Sequence, residues 1–108
     1  MRGPASAKPT LGICVTTRDT AHHLFGLAGA AAKAGVTTDV FLTGEGVHVT
    51  KHRRFPELLA AARVGVCEVS YLAAGYRGKC VPGLADNDFV TQWRNAEMVQ
   101  CCDRYLVL

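Results

Sequence analysis

The sequence predicts an α/β fold built on a parallel sheet, and two observations carry that reading. Short, β-branched apolar runs recur at residues 11–17 (LGICVTT), 38–43 (TDVFLT) and 64–66 (VGV). They are too brief for helices and suited to buried strands. The stretches between them carry helical caps and Ala/Leu-rich segments, and alternating strand and helix argues for parallel strands joined by crossovers.

In chain order, the strand at residues 11–17 leads to Arg18-Asp19-Thr20, where Asp19 or Thr20 suits a helix N-cap. The helix then runs through AHHLFGLAGAAAKAG and ends at Gly35. Its small residues, Gly26, Ala28 and Gly29 among them, permit close packing under the sheet. After the second strand, Gly44-Glu45-Gly46 reads as a turn, and the polar, basic residues 47–55 read as a loop. Pro56 suits the first position of a short helix, PELLAAAR. The third strand follows and ends at Cys67, and the next segment winds as a helix until Gly75 stops it.

Residues 76–88 are rich in turn formers and read mostly as loop, with a brief strand expected around residues 79–81. Asp86 or Asn87 suits the cap of a helix whose apolar face is Phe89, Trp93, Ala96 and Val99. Residues 103–108 (DRYLVL) form the closing strand.

Cys67 is the residue around which the chemistry gathers. It stands where a strand gives way to a helix, and ligands and reactive groups collect at the carboxyl ends of parallel strands. A helix N-terminus behind it favours a thiolate. Bringing an ordinary cysteine to half ionisation at neutral pH takes about 2 kcal/mol. Glu68, a like charge next in sequence, opposes that shift.

Composition narrows the function classes. The chain has 108 residues, a net charge of +3 and five cysteines. That length reads as one domain, with residues 1–10 as a flexible, weakly basic tail and 11–108 as the folded unit. No stretch is long and apolar enough for a membrane span, and the start has no apolar core of a signal peptide. The cysteines show no zinc-ribbon spacing, so free thiols in a reducing cytoplasm are expected. Nucleic-acid binding would need a broader basic face with interleaved aromatics. Gly44-x-Gly46 lacks the rest of a dinucleotide fingerprint.

The remaining candidates divide between bland and functional roles. Cys80 falls in a loop and is a candidate resolving thiol for Cys67, against the plain alternative of a loop cysteine. Cys14 is expected in the core mid-strand, and Cys101-Cys102 is expected to be buried rather than bridged. Lys51, Arg53 and Arg54 are candidates to stabilise a thiolate or dock a partner, against the usual solvated loop. His48 and His52 stand four apart but have no third ligand, so no metal is expected.

Taken in order, these features resemble the DsrE/DsrF/DsrH-like sulfur-relay family over nearly the whole chain. The marks are the first strand with its Ala/Leu helix, the VFLTGEGV turn, Val66-Cys67 with Gly75-Tyr76 beyond, and Cys102-Asp103-Arg104-Tyr105-Leu106-Val107. The resemblance implies a three-layer α/β/α fold with a five-stranded, mostly parallel sheet and the last strand beside the first. It implies trimers or hexamers, or hetero-oligomers with related subunits. It further implies a cysteine, matched by Cys67, that accepts sulfane sulfur as a persulfide and passes it to a small TusA-like carrier, without cofactor or metal. Many members carry a second cysteine shortly after the first, and here Ser70 stands three residues on. Two rival functions remain: a non-catalytic structural subunit and a small-molecule binding module.

Overall fold

The computed structural model describes residues 9–108, and in it five strands lie in one all-parallel sheet. These are β1 (Thr10–Val15), β2 (Thr37–Leu42), β3 (Arg63–Cys67), β4 (Phe89–Val90) and β5 (Arg104–Val107). Their order across the sheet is β4-β3-β2-β1-β5, so the chain's last strand pairs with its first. Helices α1 (Ala21–Lys33), α2 (Phe55–Ala61), α3 (Glu68–Ala73) and α4 (Gln92–Cys101) make the connections, with 3₁₀ helices at Gly44–Lys51 and Asp86–Asp88. This is the α/β fold that the sequence predicts, with every strand pair parallel. The expected tail at residues 1–10 lies largely outside the described residues, and Thr10 already belongs to β1, paired with Thr37.

Alternation along the strands sorts their side chains between two cores. Ile13, Val15, Val40, Leu42, Val64 and Val66 enter the larger core. There they meet Leu24, Phe25 and Ala28 of α1, Phe55 and Leu58 of α2, and Tyr71 of α3. The opposite face is covered much more thinly. Cys14, Phe41 and Cys67 form a small core there with Met98 of α4, flanked by Val90, Cys102 and Tyr105. Bare backbone lets α4 come close: a Cβ on Gly65 would lie 2.9 Å from Arg94 Nη1, and one on Gly12 would lie 3.1 Å from Cys102 Sγ.

Three expectations are corrected. Residues 47–51 are not the expected loop, because a 3₁₀ helix drives Val47, Val49 and Thr50 into the interior, whereas residues 52–54 are a turn and Phe55 begins α2. The brief strand expected at residues 79–81 is absent, and the strand in that region is β4, two residues long. Phe89 therefore belongs to a strand, and α4 starts later, capped by Thr91 whose Oγ1 accepts from the Trp93 N–H at 3.2 Å. The expected apolar face of that helix is turned outward, with Trp93 72% and Val99 56% exposed. Its inward contacts are Met98, Arg94 over Gly65, and Asn95, whose Oδ1 accepts from the Tyr105 hydroxyl at 2.7 Å. Polar groups do the work on this face that apolar residues were expected to do.

Two glycines separate close packing from plain flexibility. A Cβ at Gly46 would collide with the Val15 carbonyl, whereas one at Gly26 in α1 meets nothing within 4 Å. Gly46→Ala is therefore expected to destabilise the fold by about 1–3 kcal/mol through overpacking. Gly26→Ala should stabilise it by about 0.5–1 kcal/mol, since alanine loses less backbone freedom in a helix. Urea denaturation of both variants checks the pair, and equal midpoints would contradict the packing at Gly46.

Candidate functional site

Strand β3 passes into α3 with no residue between them. Cys67 is the last residue of the strand and also the N-cap of the helix, with extended φ and ψ of −65° and 114°. Alternation puts its side chain on the α4 face of the sheet, and it is only 4% exposed. Parallel register brings two neighbours alongside. Leu42 pairs with Val66, which sets Thr43 next to Cys67 across the sheet. Cys67 itself pairs with Val90, two residues before Gln92.

The polar groups around the sulfur form one connected set. The Gln92 Nε2–H donates to Thr43 Oγ1 at 2.9 Å and points to Cys67 Sγ at 3.7 Å. Thr43 Oγ1 and Ser70 Oγ lie 3.4 Å apart. The Gly44 N–H donates to Ser70 Oγ at 2.9 Å, which leaves the Ser70 hydroxyl hydrogen available for the sulfur.

Burial pushes the Cys67 thiol up, since an anion is less stable away from water. The Ser70 hydroxyl and backbone N–H, the Thr43 hydroxyl and the Gln92 amide outweigh it, and the net pKa falls below that of an ordinary cysteine. The thiol makes no cap hydrogen bond of normal geometry, so the Ser70 amide acts on the anion as a nearby dipole rather than as a formed bond. Cys14 and Cys102, on the same face, go the other way. Burial raises both, and Asp39 adds to the rise at Cys102.

The other sequence candidates lie elsewhere. Lys51 Nζ donates to the Tyr71 hydroxyl at 3.0 Å and sits over the Tyr76 ring at 4.5 Å. Arg54 forms a two-pronged pair with Glu57 at 3.0 and 2.9 Å and lies over Phe25, while Arg53 is exposed. The groups that lower the Cys67 pKa are the neutral donors, not this basic cluster. Cys80 is exposed and lines a hollow of about 230 Å³ with Glu68, Tyr71 and Phe89, and Cys67 is not part of that wall. Cys101 is exposed, contrary to the expected burial, because α4 turns it away from the sheet.

His48 Nδ1 lies 2.7 Å from the Tyr76 hydroxyl, and His52 Nδ1 accepts from the Arg54 N–H at 3.0 Å. Among the described residues no group of three or more His, Cys, Asp or Glu side chains is placed to hold a metal ion. No helix among them is long and apolar enough to cross a membrane. Compared with known proteins, the chain matches no family model and no curated protein.

Sequence reasoning placed Cys67 but did not assign roles to Thr43, Ser70 and Gln92. A signal was present for two of them: Thr43 ends the second strand run, and Ser70 stands one helical turn after the cysteine. Gln92 had none, because its approach depends on the two-residue β4.

The arrangement is that of a shielded thiol whose anion is favoured by neutral dipoles. Ser70→Ala removes a donor while keeping the helix, so the Cys67 pKa should rise and less thiolate remain at neutral pH. Alkylation of Cys67 by iodoacetamide at pH 7, resolved by peptide mass, is expected to slow about threefold or more, as loss of a hydrogen bond to a charged group implies. An unchanged rate would remove Ser70 from the site.

Proposed function

We propose that the chain is a sulfur carrier of the DsrE/DsrF/DsrH-like type, taking sulfane sulfur as a persulfide on Cys67 and passing it to a small TusA-like partner. The observation that carries this reading is the convergence of Ser70, Thr43 and Gln92 on a strand-end thiol whose pKa is lowered. The order and spacing of the sequence marks support it independently. The Cys67 thiolate attacks the outer sulfur of a donor persulfide. The donor S–S bond breaks, the donor leaves as a thiolate, and Cys67 carries the transferred sulfur with its proton. Attack by the partner's thiolate on that outer sulfur restores the Cys67 thiolate. No cofactor takes part in either exchange.

One observation favours a second reading. A cysteine that is 4% exposed suits a non-catalytic subunit, in which it only fills the small core. Incubation with a sulfane-sulfur donor followed by peptide mass spectrometry separates the two. The carrier gains about 32 Da on the Cys67 peptide, one sulfur atom. Cys67→Ser should abolish loading, while serine at Cys14, Cys101 or Cys102 should leave it intact in the folded protein. Loading kept but transfer lost in Cys80→Ser would mark Cys80 as the resolving thiol. Loading at the wild-type level in Cys67→Ser would discard the carrier reading.

Assembly into a trimer or hexamer, alone or with related subunits, belongs to the same proposal. It is supported by the thin α4 layer and the exposed Trp93, Val99 and Val107. Light scattering should report a multiple of 11.5 kDa. A clean monomer at micromolar concentration would remove this part.

A further inference from the structure

We propose that Gln92 is a positioning residue for Cys67. Its carboxamide covers the sulfur and donates to its anion, and it swings outward before any other sulfur reaches the site. Only the last clause rests on the carrier reading. The donor contact is a property of the local geometry, and the cover is inferred from that contact and from the burial of Cys67.

The sulfur has a donor nearby but almost no solvent: Gln92 Nε2 lies 3.7 Å from Sγ, and Cys67 is 4% exposed. A group that exchanges sulfur needs an approach line, so something in the cover must move. The surrounding groups differ in their freedom to do so. Thr43 is fixed through its backbone, whose N–H donates to the Val15 carbonyl at 3.0 Å. Ser70 is held within α3 and accepts from the Gly44 N–H at 2.9 Å. Both have short side chains, so turning a hydroxyl displaces no heavy atom other than the oxygen and, in threonine, the methyl group.

Gln92 is different. It is exposed, with solvent at its back. Its backbone is anchored in the first turn of α4, which the Thr91 cap secures. Its side chain reaches inward on three rotatable bonds, held by the 2.9 Å bond to Thr43 and the long contact to the sulfur. Exposed side chains change rotamer in picoseconds to nanoseconds, so such a cover opens without moving the backbone. Since Nε2–H is a donor at the sulfur, the closed position also favours the anion. One residue thus links two properties that usually oppose each other, a favoured anion and low access.

Two substitutions in the full-length protein separate the cover from the donor. The readout is the pH profile of alkylation at the Cys67 peptide, giving a kinetic pKa and a limiting rate at high pH. Gln92→Ala removes the cover. Its limiting rate should rise about tenfold, more for a bulky aromatic disulfide than for iodoacetamide, whereas a pKa rise of one unit alone accounts for only about threefold through greater nucleophilicity. Gln92→Glu keeps the size but puts a carboxylate where the donor was, and the kinetic pKa should rise.

Retention of the wild-type melting temperature in Gln92→Glu, and of the unfolding midpoint in Gln92→Ala, shows that neither effect comes from a loosened fold. An unchanged limiting rate in the alanine variant overturns the cover, and an unchanged kinetic pKa in the glutamate variant overturns the donor. Because alkylation needs no persulfide, absent sulfur loading together with these rate changes would sink the carrier function while leaving the Gln92 assignment standing. Normal loading with no rate change would do the reverse.

Discussion

The site depends on the direct passage of β3 into α3. With no loop between them, one residue obeys two rules at once. As a strand residue, Cys67 must follow Gly65 to the α4 face. As an N-cap, it must sit in front of the first amides of a helix. Neither rule alone makes a site. Together they fix the direction of the sulfur and place Ser70 one turn ahead of it. The rest of the site is then supplied by register, since Leu42 opposite Val66 and Val90 opposite Cys67 bring Thr43 and Gln92 to the same end of the sheet. A slip of one residue in β3 would turn Cys67 into the larger core and leave Thr43 and Gln92 facing Val66 or Glu68 instead.

The electrostatics follow from the kind of donor that this geometry admits. Burial opposes ionisation, and hydroxyl and amide dipoles overcome it at short range. Dipoles act only over a few ångströms and are hardly screened by salt, unlike a surface lysine or arginine. The nearby basic residues are engaged elsewhere, with Lys51 at the end of the 3₁₀ helix on Tyr71 and Tyr76, and Arg54 before α2 on Glu57. The donors that face Cys67 are therefore different groups from the cations of that surface.

Most of the fold was legible in the sequence because the large core announces itself. Ile13, Val15, Val40, Leu42, Val64 and Val66 alternate along their strands, and the Ala/Leu pattern of α1 supplies the opposite wall. The thinner face was read wrongly for a physical reason. There α4 packs through Met98, with Arg94 lying over Gly65 and Asn95 bonded to Tyr105, so apolar periodicity pointed to Trp93 and Val99, which face outward. Val47 and Val49 were hidden among histidine, threonine and lysine in a segment whose 3₁₀ winding no hydrophobic pattern marks. In the site, Cys67 was visible by position. Its partners were not, because hydroxyl and amide side chains from three separate segments carry no shared signature until the register is known.

The outward turn of α4 has an optical consequence. Trp93 is the chain's single tryptophan, stands next to Gln92 in sequence, and is 72% exposed. An indole in water emits at longer wavelength than one against protein, so a body settling over the start of α4 and drying that ring would move its emission to the blue. With no second tryptophan to dilute the signal, the protein carries its own lamp in the first turn of α4. Encounters at this surface can be followed in real time without attaching a dye.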